Sequence, residues 1–131
     1  MIEIVTALIR DGHGHVLLVR KHGTGSFIQP GGKREANESD LTTLTREIRE
    51  ELGCTLVPDS IQPLGTFEAP AANEPGKWVR ASVYKVRVTG QIACGAEIAE
   101  LIWVDPRKPC ERKLAPLTRD GILPLALSLE Q

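Results

Sequence analysis

The chain has 131 residues, of which 41% are hydrophobic and 25% are charged. Its formal net charge is −1, and its isoelectric point is about 6.3. This size and hydrophobic content fit one globular domain, so we expect a single domain over residues 1–131. A near-neutral chain offers no broad basic surface, and we therefore expect no nucleic-acid polymer as a partner.

The N-terminal segment lacks the basic start and the apolar run of a signal peptide. Nowhere does the chain contain the ~18 uninterrupted apolar residues of a membrane span. We therefore expect a cytoplasmic protein without a membrane partner. The three cysteines form no Cys-x-x-Cys or Cys/His pattern, which predicts neither a disulfide framework nor a zinc site. They are Cys54, Cys94 and Cys110.

Short aliphatic runs separated by turn residues predict the strands of a sheet. The first two runs, 4–9 and 16–19, flank a turn at 11–14 and predict a β-hairpin. Later runs predict strands over 64–68, 79–88 and 100–104, and the C-terminal segment predicts a helix over 119–129. Together with a helix over 40–52, this alternation indicates an α/β fold with a mixed sheet covered on both faces.

The predicted helix over 40–52 is amphipathic and has clear end signals. Ser39 is a suitable N-cap, and Gly53 can adopt the left-handed conformation that ends a helix. Apolar residues at helical spacing form one stripe, which would bury the helix against the sheet. The stripe consists of Leu41, Leu44, Ile48 and Leu52.

Three carboxylates, Glu47, Glu50 and Glu51, share a neighbouring face of this helix because residues three and four apart are neighbours. Negative charge near a helix C-terminus opposes the helix dipole, and Glu47 and Glu51 repel each other. Arg46 offsets part of this repulsion. Two explanations stay open on this pattern alone: a solvated helix face, or a divalent-cation site. Oxygen ligands without thiolates select Mg²⁺ or Mn²⁺.

The spacing around these glutamates favours the cation site. From Gly32, five residues lead to Glu38, and seven more lead to Arg46-Glu47-Ile48. The whole segment reads GKREANESDLTTLTREIREELGC, over residues 32–54. It resembles the Nudix box, the signature of the Nudix hydrolases, at every charged and glycine position. Cys54 stands where an aliphatic residue is usual, and the preceding FIQPG resembles the family's lead-in.

The resemblance implies a MutT-like protein with an α/β/α sandwich, in which a mixed β-sheet lies between helices. It also implies that Mg²⁺, or Mn²⁺ in its place, binds to Glu47, Glu50 and Glu51 and to the backbone carbonyl of Gly31. Arg46 and Glu38 would support the helix and its carboxylates. We count Arg46 and the three glutamates as the catalytic residues of the box.

A further carboxylate ligand is expected in the loop before the last predicted strand. Glu97, six residues before Trp103, resembles the position of such a ligand in MutT-like proteins. An ordinary surface glutamate is the competing explanation. Family members differ in the general base, so Glu47 and Glu97 both stay candidates, with Glu47 preferred.

Substrate contacts are harder to predict, because most basic side chains only solvate a surface. The candidates for phosphate contacts are Lys21, Lys33, Arg34 and Arg80. Gln29 and Asp120 have the donor or acceptor character to read the edge of a base. Trp78 and Phe67 could stack on a base, although a core also claims aromatic residues.

The implied activity is Mg²⁺-dependent hydrolysis of a nucleoside triphosphate, including oxidised deoxynucleoside triphosphates, to the monophosphate and pyrophosphate. The first alternative is an ADP-ribose or nucleoside-diphosphate-sugar pyrophosphatase, because Pro70 lies 16 residues after the box. The second alternative is a Nudix-fold module that binds a nucleotide without turnover. Such modules usually lose box glutamates, which this chain retains. The oligomeric state cannot be predicted from the sequence.

Overall fold

The computed structural model describes residues 1–129; Glu130 and Gln131, the end of the predicted domain, lie outside the described residues. The described part contains eight strands and two α-helices. The strands are β1 (Ile2–Leu8), β2 (Val16–Lys21), β3 (Gly31–Gly32), β4 (Thr55–Leu56), β5 (Gln62–Pro70), β6 (Trp78–Lys85), β7 (Val88–Thr89) and β8 (Ile98–Val104). The α-helices are α1 (Asp40–Leu52) and α2 (Leu123–Ser128), a 3₁₀ turn spans Pro58–Ser60, and a π-helical segment, Leu117–Ile122, leads into α2.

β1 lies inside a mixed four-stranded sheet with the order β3-β1-β6-β5. It pairs antiparallel with β3 and parallel with β6, and β6 pairs antiparallel with β5. β2 and β8 form a separate antiparallel pair, as do the short strands β4 and β7. The mixed sheet predicted from the sequence is confirmed.

The predicted N-terminal hairpin is only partly right. Its turn forms, because one carboxylate oxygen of Asp11 accepts hydrogen bonds from the backbone N–H groups of His13 and His15 at 2.8 and 2.9 Å. Beyond the turn, however, the two strands separate into different sheets, since β1 pairs with β3 and β6 while β2 pairs with β8. Local turn chemistry predicts the turn, but it does not say which distant strand each arm will join.

Apolar side chains are buried on both sides of the sheets, because successive residues of a strand point to opposite faces. On β2, Leu17 and Val19 pack in the cluster that contains α1. Val16 and Leu18 pack in the other cluster, together with the π-helical segment and Ala126 of α2. Each side of the sheets is thus covered by one helical element, which is the predicted α/β/α sandwich.

Helix α1 has the predicted ends. The Ser39 hydroxyl accepts a hydrogen bond from the backbone N–H of Thr42 at 3.2 Å. At the other end, Gly53 has φ 68° and donates its N–H to the carbonyl of Arg49 at 3.0 Å. Leu41, which we placed in the buried stripe, is 45% exposed. The stripe that packs against the sheet is Leu44, Ile48 and Leu52.

The C-terminal helix begins two residues earlier than predicted, and its first part is not α-helical. In the segment Leu117–Ile122, hydrogen bonding follows the wider π pattern, and the N–H of Leu123 donates to the carbonyl of Thr118. Pro124 has no N–H and cannot make the ordinary α-helical bond four residues back, which fits an irregular start. Among residues 1–129, no helix is long and apolar enough to span a membrane.

Candidate active site

Glu51 is a buried carboxylate on the last turn of α1, and its side chain is only 3% exposed. Its Oε1 accepts a hydrogen bond from the backbone N–H of Gly31 at 3.2 Å. Its Oε2 has no hydrogen-bond partner within residues 1–129, and the ammonium of Lys21 lies 3.9 Å away. A buried charged oxygen without a donor is costly unless a cation approaches it.

Burial is the main reason that the pKa of Glu51 rises, to about 8. The adjacent Glu47 carboxyl group raises it further, whereas Lys21 and the N–H of Gly31 lower it. Glu51 therefore keeps its proton more readily than a carboxyl group in water does. A divalent cation is the usual way to keep two adjacent carboxylates ionised.

Glu47 lies against β3 with 12% of its side chain exposed. Nη1 of Arg46 donates to its Oε1 at 2.6 Å. A Cβ at Gly32 would lie 2.8 Å from the carboxyl carbon of Glu47. The second glycine of the PGG lead-in therefore leaves the space that the Glu47 carboxylate occupies.

Arg46 also ties the preceding loop to α1. Its Nε and Nη2 donate to the two carboxylate oxygens of Glu38 at 2.8 and 2.9 Å, and Nη2 donates to the carbonyl of Lys33 at 3.1 Å. The Arg46 guanidinium is the main reason that the pKa of Glu38 falls to about 2, helped by the backbone N–H of Glu35. The box arginine and the box glutamate thus hold the loop 33–38 in place.

Glu50 points outward, with 58% of its side chain exposed and 3.4 Å between its Oε2 and Nη1 of Arg46. Within residues 1–129, no group of three or more His, Cys, Asp or Glu side chains is already arranged around one point as a metal cage. The carboxylate oxygens nonetheless suit a hard divalent cation. Oε2 of Glu51 accepts no hydrogen bond from the described residues, and the Glu47 carboxylate lies beside it. Rotation of the exposed Glu50 side chain would be needed for it to join them.

Gly31 is held where only glycine fits. Its φ is 147°, and a Cβ there would lie 2.1 Å from the carbonyl oxygen of Val5. Gly31 pairs with Thr6 across β1 and β3, and the N–H of Ala7 donates to the carbonyl of Pro30 at 2.8 Å. This close pairing brings the Gly31 N–H to the Glu51 carboxylate, so the structure joins two residues that the sequence places 20 apart.

A cleft of about 470 Å³ opens beside these groups. Lys21 at the end of β2 and Lys33 just after β3 line it together with Gly31, Gly32 and Glu47. The remaining lining residues are Ile4, Thr6, Ile28, Gln29, Arg34, Glu35, Arg46 and Asn73. The structure therefore places the two predicted phosphate-contacting lysines next to the box carboxylates. Arg34 is less available, because its Nε donates to Asp40 at 2.6 Å.

Gln29 borders the cleft, but both ends of its amide group hydrogen-bond to other side chains. Its side chain is buried, with the residue 1% exposed. Its Nε2 donates to the Thr6 hydroxyl at 3.1 Å, and its Oε1 accepts from the Thr118 hydroxyl at 2.8 Å. Gln29 is therefore the middle of a buried polar series, Thr6–Gln29–Thr118, beneath the cleft, and its contact with a base stays a prediction. The polar side chain of Gln29 in the lead-in was the only sequence signal for these buried hydrogen bonds.

Two other predicted substrate contacts lie away from the cleft. Arg80 on β6 pairs with Glu68 at 2.9 Å and approaches Glu3 at 4.0 Å. Asp120 is exposed, pairs with Arg119 at 2.9 Å and borders a different, smaller cavity. Arg80 and Asp120 are thus absent from the lining of the cleft, and their contact with substrate stays a prediction. Residue type alone does not say which face of a strand or helix a side chain occupies.

The two aromatic candidates also lie outside the cleft. Trp78 is 50% exposed at the start of β6. Phe67 borders the same small cavity as Asp120. The cleft wall therefore contains aliphatic Ile28 and polar Asn73 instead of an aromatic ring. Asn73 lies in the loop between β5 and β6, and no sequence signal marked it as a site residue.

Glu97 is exposed and directly precedes β8, and its backbone carbonyl accepts from the N–H of His22 at 3.0 Å. The loop before it packs on the end of α1, because the N–H of Gly95 donates to the carbonyl of Glu51 at 2.8 Å. A Cβ at Gly95 would lie 1.9 Å from the carbonyl oxygen of Glu50. The Glu97 loop is thus anchored beside the box carboxylates. Its role as a ligand stays a prediction.

Comparisons with known proteins agree with this geometry. The model of the NUDIX domain family matches residues 2–125. An uncharacterized Nudix hydrolase, YvcI, of Bacillus subtilis is 28% identical over 116 residues, which cover 88% of this chain and 73% of that protein. A CTP pyrophosphohydrolase of Escherichia coli is 30% identical over 121 residues, which cover 88% of this chain and 84% of that protein.

Among solved structures, a MutT protein from Methanosarcina mazei superposes with a TM-score of 0.79 at 26% identity, covering 99% of this chain and 95% of that one. The family match spans nearly the whole chain, and it includes the box whose Arg46 and Glu47 line the cleft. The chain therefore belongs to the NUDIX domain family and is a MutT-like Nudix hydrolase, an enzyme that hydrolyses pyrophosphate bonds in small nucleotide derivatives.

Proposed function

We propose that this single domain is a Mg²⁺-dependent pyrophosphohydrolase that cleaves a nucleoside triphosphate to the monophosphate and pyrophosphate. The observation that carries the proposal is Glu51, a buried carboxylate whose Oε2 lacks a donor beside Glu47. Lys21 and Lys33 border the same cleft and can neutralise phosphate charge. Mn²⁺ can replace Mg²⁺, because both prefer oxygen ligands.

The box residues have two proposed roles, metal binding and general-base catalysis. Bound through Glu47, Glu50, Glu51, Glu97 and the Gly31 carbonyl, Mg²⁺ would neutralise the diphosphate and acidify a water molecule. Glu47 is the preferred general base, with Glu97 as the alternative, and it takes the proton of the attacking water on a carboxylate oxygen.

Arg46 acts by positioning, since it bonds to both Glu47 and Glu38. It fixes the carboxylate that faces the substrate while holding the loop that bears Lys33. In-line attack requires the water, the phosphorus atom and the leaving oxygen to be aligned, which depends on such fixed groups.

The choice of a triphosphate rests on the CTP pyrophosphohydrolase of Escherichia coli, which is 30% identical to this chain. Oxidised deoxynucleoside triphosphates belong to the same substrate class. The cleft also continues into an apolar section of about 180 Å³, which shares Ile28 and Asn73 with it and includes Val79 and Leu117. A flat base suits such a section.

ADP-ribose or another nucleoside-diphosphate sugar is the alternative substrate. Pro70, whose distance from the box suggested this class, lies in the wall of the apolar section. A rigid proline there would contact the nucleoside side of either substrate. We further propose a cytoplasmic protein whose partners are small nucleotides, without nucleic-acid polymers or membranes as partners.

A substrate panel tests the proposal. Purified protein with Mg²⁺ is offered nucleoside triphosphates, oxidised triphosphates, ADP-ribose and nucleoside-diphosphate sugars, and the products are identified. We expect release of pyrophosphate from a triphosphate. Glu51→Gln should lower kcat roughly 100-fold or more, because it removes a charged ligand. Glu111→Gln, an exposed glutamate outside the cleft, is the matched control and should leave kcat unchanged.

Two outcomes would contradict the proposal. Turnover in excess chelator, or full activity of Glu51→Gln, would rule out the carboxylate mechanism. Absence of turnover across the whole panel, with retained nucleotide binding, would favour the non-catalytic binding module.

A further inference from the structure

A second cavity, which the hydrolytic site does not use, lies between the segment that follows β8 and helix α2. Its volume is about 630 Å³, against 470 Å³ for the cleft. Four exposed basic side chains line it, and no acidic residue does within the described part of the chain. The basic residues are Lys108, Arg112, Lys113 and Arg119. The cavity is therefore positively charged although the chain as a whole carries a formal charge of −1.

The positive charge of this basic cavity is only partly neutralised. Arg112 bonds to Glu100 at 3.2 Å, but Arg20 bonds to the same carboxylate at 2.7 Å, so two guanidinium groups share one anion. Arg119 has a carboxylate partner in Asp120. Within residues 1–129, no carboxylate lies within 4.0 Å of the ammonium group of either cavity lysine. The basic cavity thus keeps an excess of positive charge available to an anion.

The backbone that carries these cations is held in place. Phe27 donates its N–H to the carbonyl of Lys113 at 2.8 Å and accepts from the N–H of Ala115 at 2.9 Å. The Arg112 guanidinium lies over the Phe27 ring, 5.4 Å from its centre. The N–H of Lys108 donates to the carbonyl of Asp105 at 3.1 Å, which closes a turn. An anion would therefore meet donors on an ordered frame, which lowers the entropy cost of binding.

The floor of the basic cavity is apolar. Leu114, Leu123 and Pro116 line it, and Leu127 is 41% exposed there. A free phosphate ion would leave this surface uncovered, whereas a phosphate attached to a flat apolar body would use both parts. Nucleoside monophosphates have this combination, and a volume of this size accommodates small organic ligands.

The apolar section lies between the basic cavity and the hydrolytic cleft. The basic cavity shares Ala71 and Ala72 with the apolar section, and that section shares Ile28 and Asn73 with the cleft. A phosphate in the basic cavity could therefore belong to the nucleotide being hydrolysed or to a separate nucleotide. Both sources offer the same phosphate monoester chemistry.

We propose that the basic cavity is a second phosphate-binding site, distinct from the carboxylate cleft, which binds the phosphate monoester of a nucleotide. Lys108 and Lys113 supply the principal charge, and Arg112 and Arg119 complete the rim. Leu114 and Leu127 contact the apolar body of the ligand. The site needs no metal, because its cations belong to the protein.

The first experiment measures binding of adenosine 5′-monophosphate by calorimetry in excess chelator. Without a divalent cation, the box glutamates weaken phosphate binding in the cleft. Because Lys21 and Lys33 can still contact a phosphate there, the comparison between variants reports the basic cavity. We expect the double variant Lys108→Ala/Lys113→Ala to weaken binding about tenfold. The matched control Lys85→Ala/Arg87→Ala removes the same charge from another cavity, at the far end of β6, and should bind as wild type does. Adenosine, which lacks the phosphate, should bind more weakly to wild type.

The proposal is overturned if wild type does not bind the monophosphate, or if the two double variants bind it equally. These results require neither metal nor turnover. A protein that fails to hydrolyse triphosphates can therefore still confirm the second site, and an active hydrolase can still lack it.

Kinetics then distinguish the two sources of the phosphate. A nucleoside 5′-triphosphate is compared with its 3′-phosphorylated counterpart in wild type and in the Lys108/Lys113 variant. If the variant has a higher KM than wild type only for the 3′-phosphorylated substrate, the phosphate in the basic cavity belongs to the substrate. If added adenosine monophosphate changes the rate of wild type but not of the variant, a separate nucleotide occupies the site. Both results support the proposal, and a variant equal to wild type in binding and in both assays contradicts it.

Discussion

At the scale of single residues, Glu51 shows how the site resolves a conflict between burial and charge. Its carboxyl group is nearly inaccessible to water, one of its oxygens lacks a donor, and a second carboxyl group lies beside it. Each of these features disfavours ionisation in the metal-free protein. A bound cation reverses this preference. The cost of burying Glu51 should therefore be measurable as stability that depends on pH and on metal.

We predict that Glu51→Gln stabilises the metal-free protein at pH 8. Burial raises the pKa of Glu51 from 4.5 to about 8 in the folded protein. Between these values the unfolded chain releases the proton while the folded chain keeps it, so the free energy of unfolding falls as pH rises. Glutamine cannot ionise and escapes this loss, which we expect to exceed about 1 kcal/mol at pH 8.

Urea denaturation in chelator at pH 4.5, 6 and 8 measures the effect. The advantage of the variant should be small at pH 4.5, where the folded protein keeps the proton and about half of the unfolded chains keep it too, and should grow towards pH 8. Equal stability of the two proteins at pH 8 would mean that Glu51 is not buried as an unpaired acid.

The two glycines of the lead-in should respond differently to alanine. At Gly32, the new Cβ meets the movable carboxyl end of Glu47 at 2.8 Å, so Gly32→Ala should lower kcat roughly tenfold while changing stability by less than about 1 kcal/mol. At Gly31, φ is 147° and the new Cβ meets the backbone oxygen of Val5 at 2.1 Å. Gly31→Ala should therefore destabilise the fold by more than about 3 kcal/mol. Thermal unfolding and steady-state kinetics of both variants test the contrast, and equal destabilisation would refute it.

Residue-level prediction from sequence succeeded where one local element fixes the geometry. Glu47 and Glu51 lie on a single helix, so their spacing alone puts them on one face. Arg80 and Asp120 depend on strand register and on the phase of an irregular helix, which residue type does not encode. Gln29 was predicted to contact a base because it is polar, but its amide hydrogen-bonds to the buried hydroxyl groups of Thr6 and Thr118.

At the scale of secondary-structure elements, the buried chain Thr6–Gln29–Thr118 joins the π-helical segment to β1 beneath the cleft. All three side chains are at most 1% exposed, so water cannot replace a lost partner. Thr6 also pairs with Gly31 across β1 and β3. The C-terminal helical element is thereby connected to the strand that presents the lead-in glycines.

We predict that Thr118→Val destabilises the protein by about 1–3 kcal/mol, because Oε1 of Gln29 loses its donor in a buried place. The double variant Gln29→Leu/Thr118→Val should cost less than the sum of the two single variants, since no unpaired group then remains between positions 29 and 118. Urea denaturation of the four proteins measures the coupling. Strict additivity would mean that the hydrogen bond contributes nothing to stability.

Element-level prediction was best for α1 and poorest where distant partners decide. Ser39 and Gly53 fix the ends of α1 by local chemistry, and both ends were placed correctly. The arms of the N-terminal turn are separated by pairing with β6 and β8, which lie far along the chain. The π-helical start of the last helix reflects Pro124 and the packing of Leu117 and Thr118, and a periodicity of 3.6 residues does not reveal it.

At the scale of the whole molecule, the site lies where several separate units meet. β3 contributes the glycines, α1 contributes the box carboxylates, and β2 contributes Lys21. The loop before β8 packs on the end of α1 through Gly95. These parts are far apart in sequence, so folding is needed to bring them together. The unfolded chain therefore has no preformed site for a cation, even though the box glutamates are close together in sequence.

The folded and unfolded chains should therefore differ in their affinity for Mg²⁺. Mg²⁺, which we propose binds the folded state, should raise the free energy of unfolding by about 2.7 kcal/mol at one hundred times its Kd. The increase should disappear in chelator and in Glu51→Gln, while Glu111→Gln should keep it. Thermal unfolding at pH 8 over a series of Mg²⁺ concentrations measures the effect. An equal Mg²⁺ response of wild type and Glu51→Gln would place the stabilising cation elsewhere on the surface, and the buried carboxylate would then need another explanation.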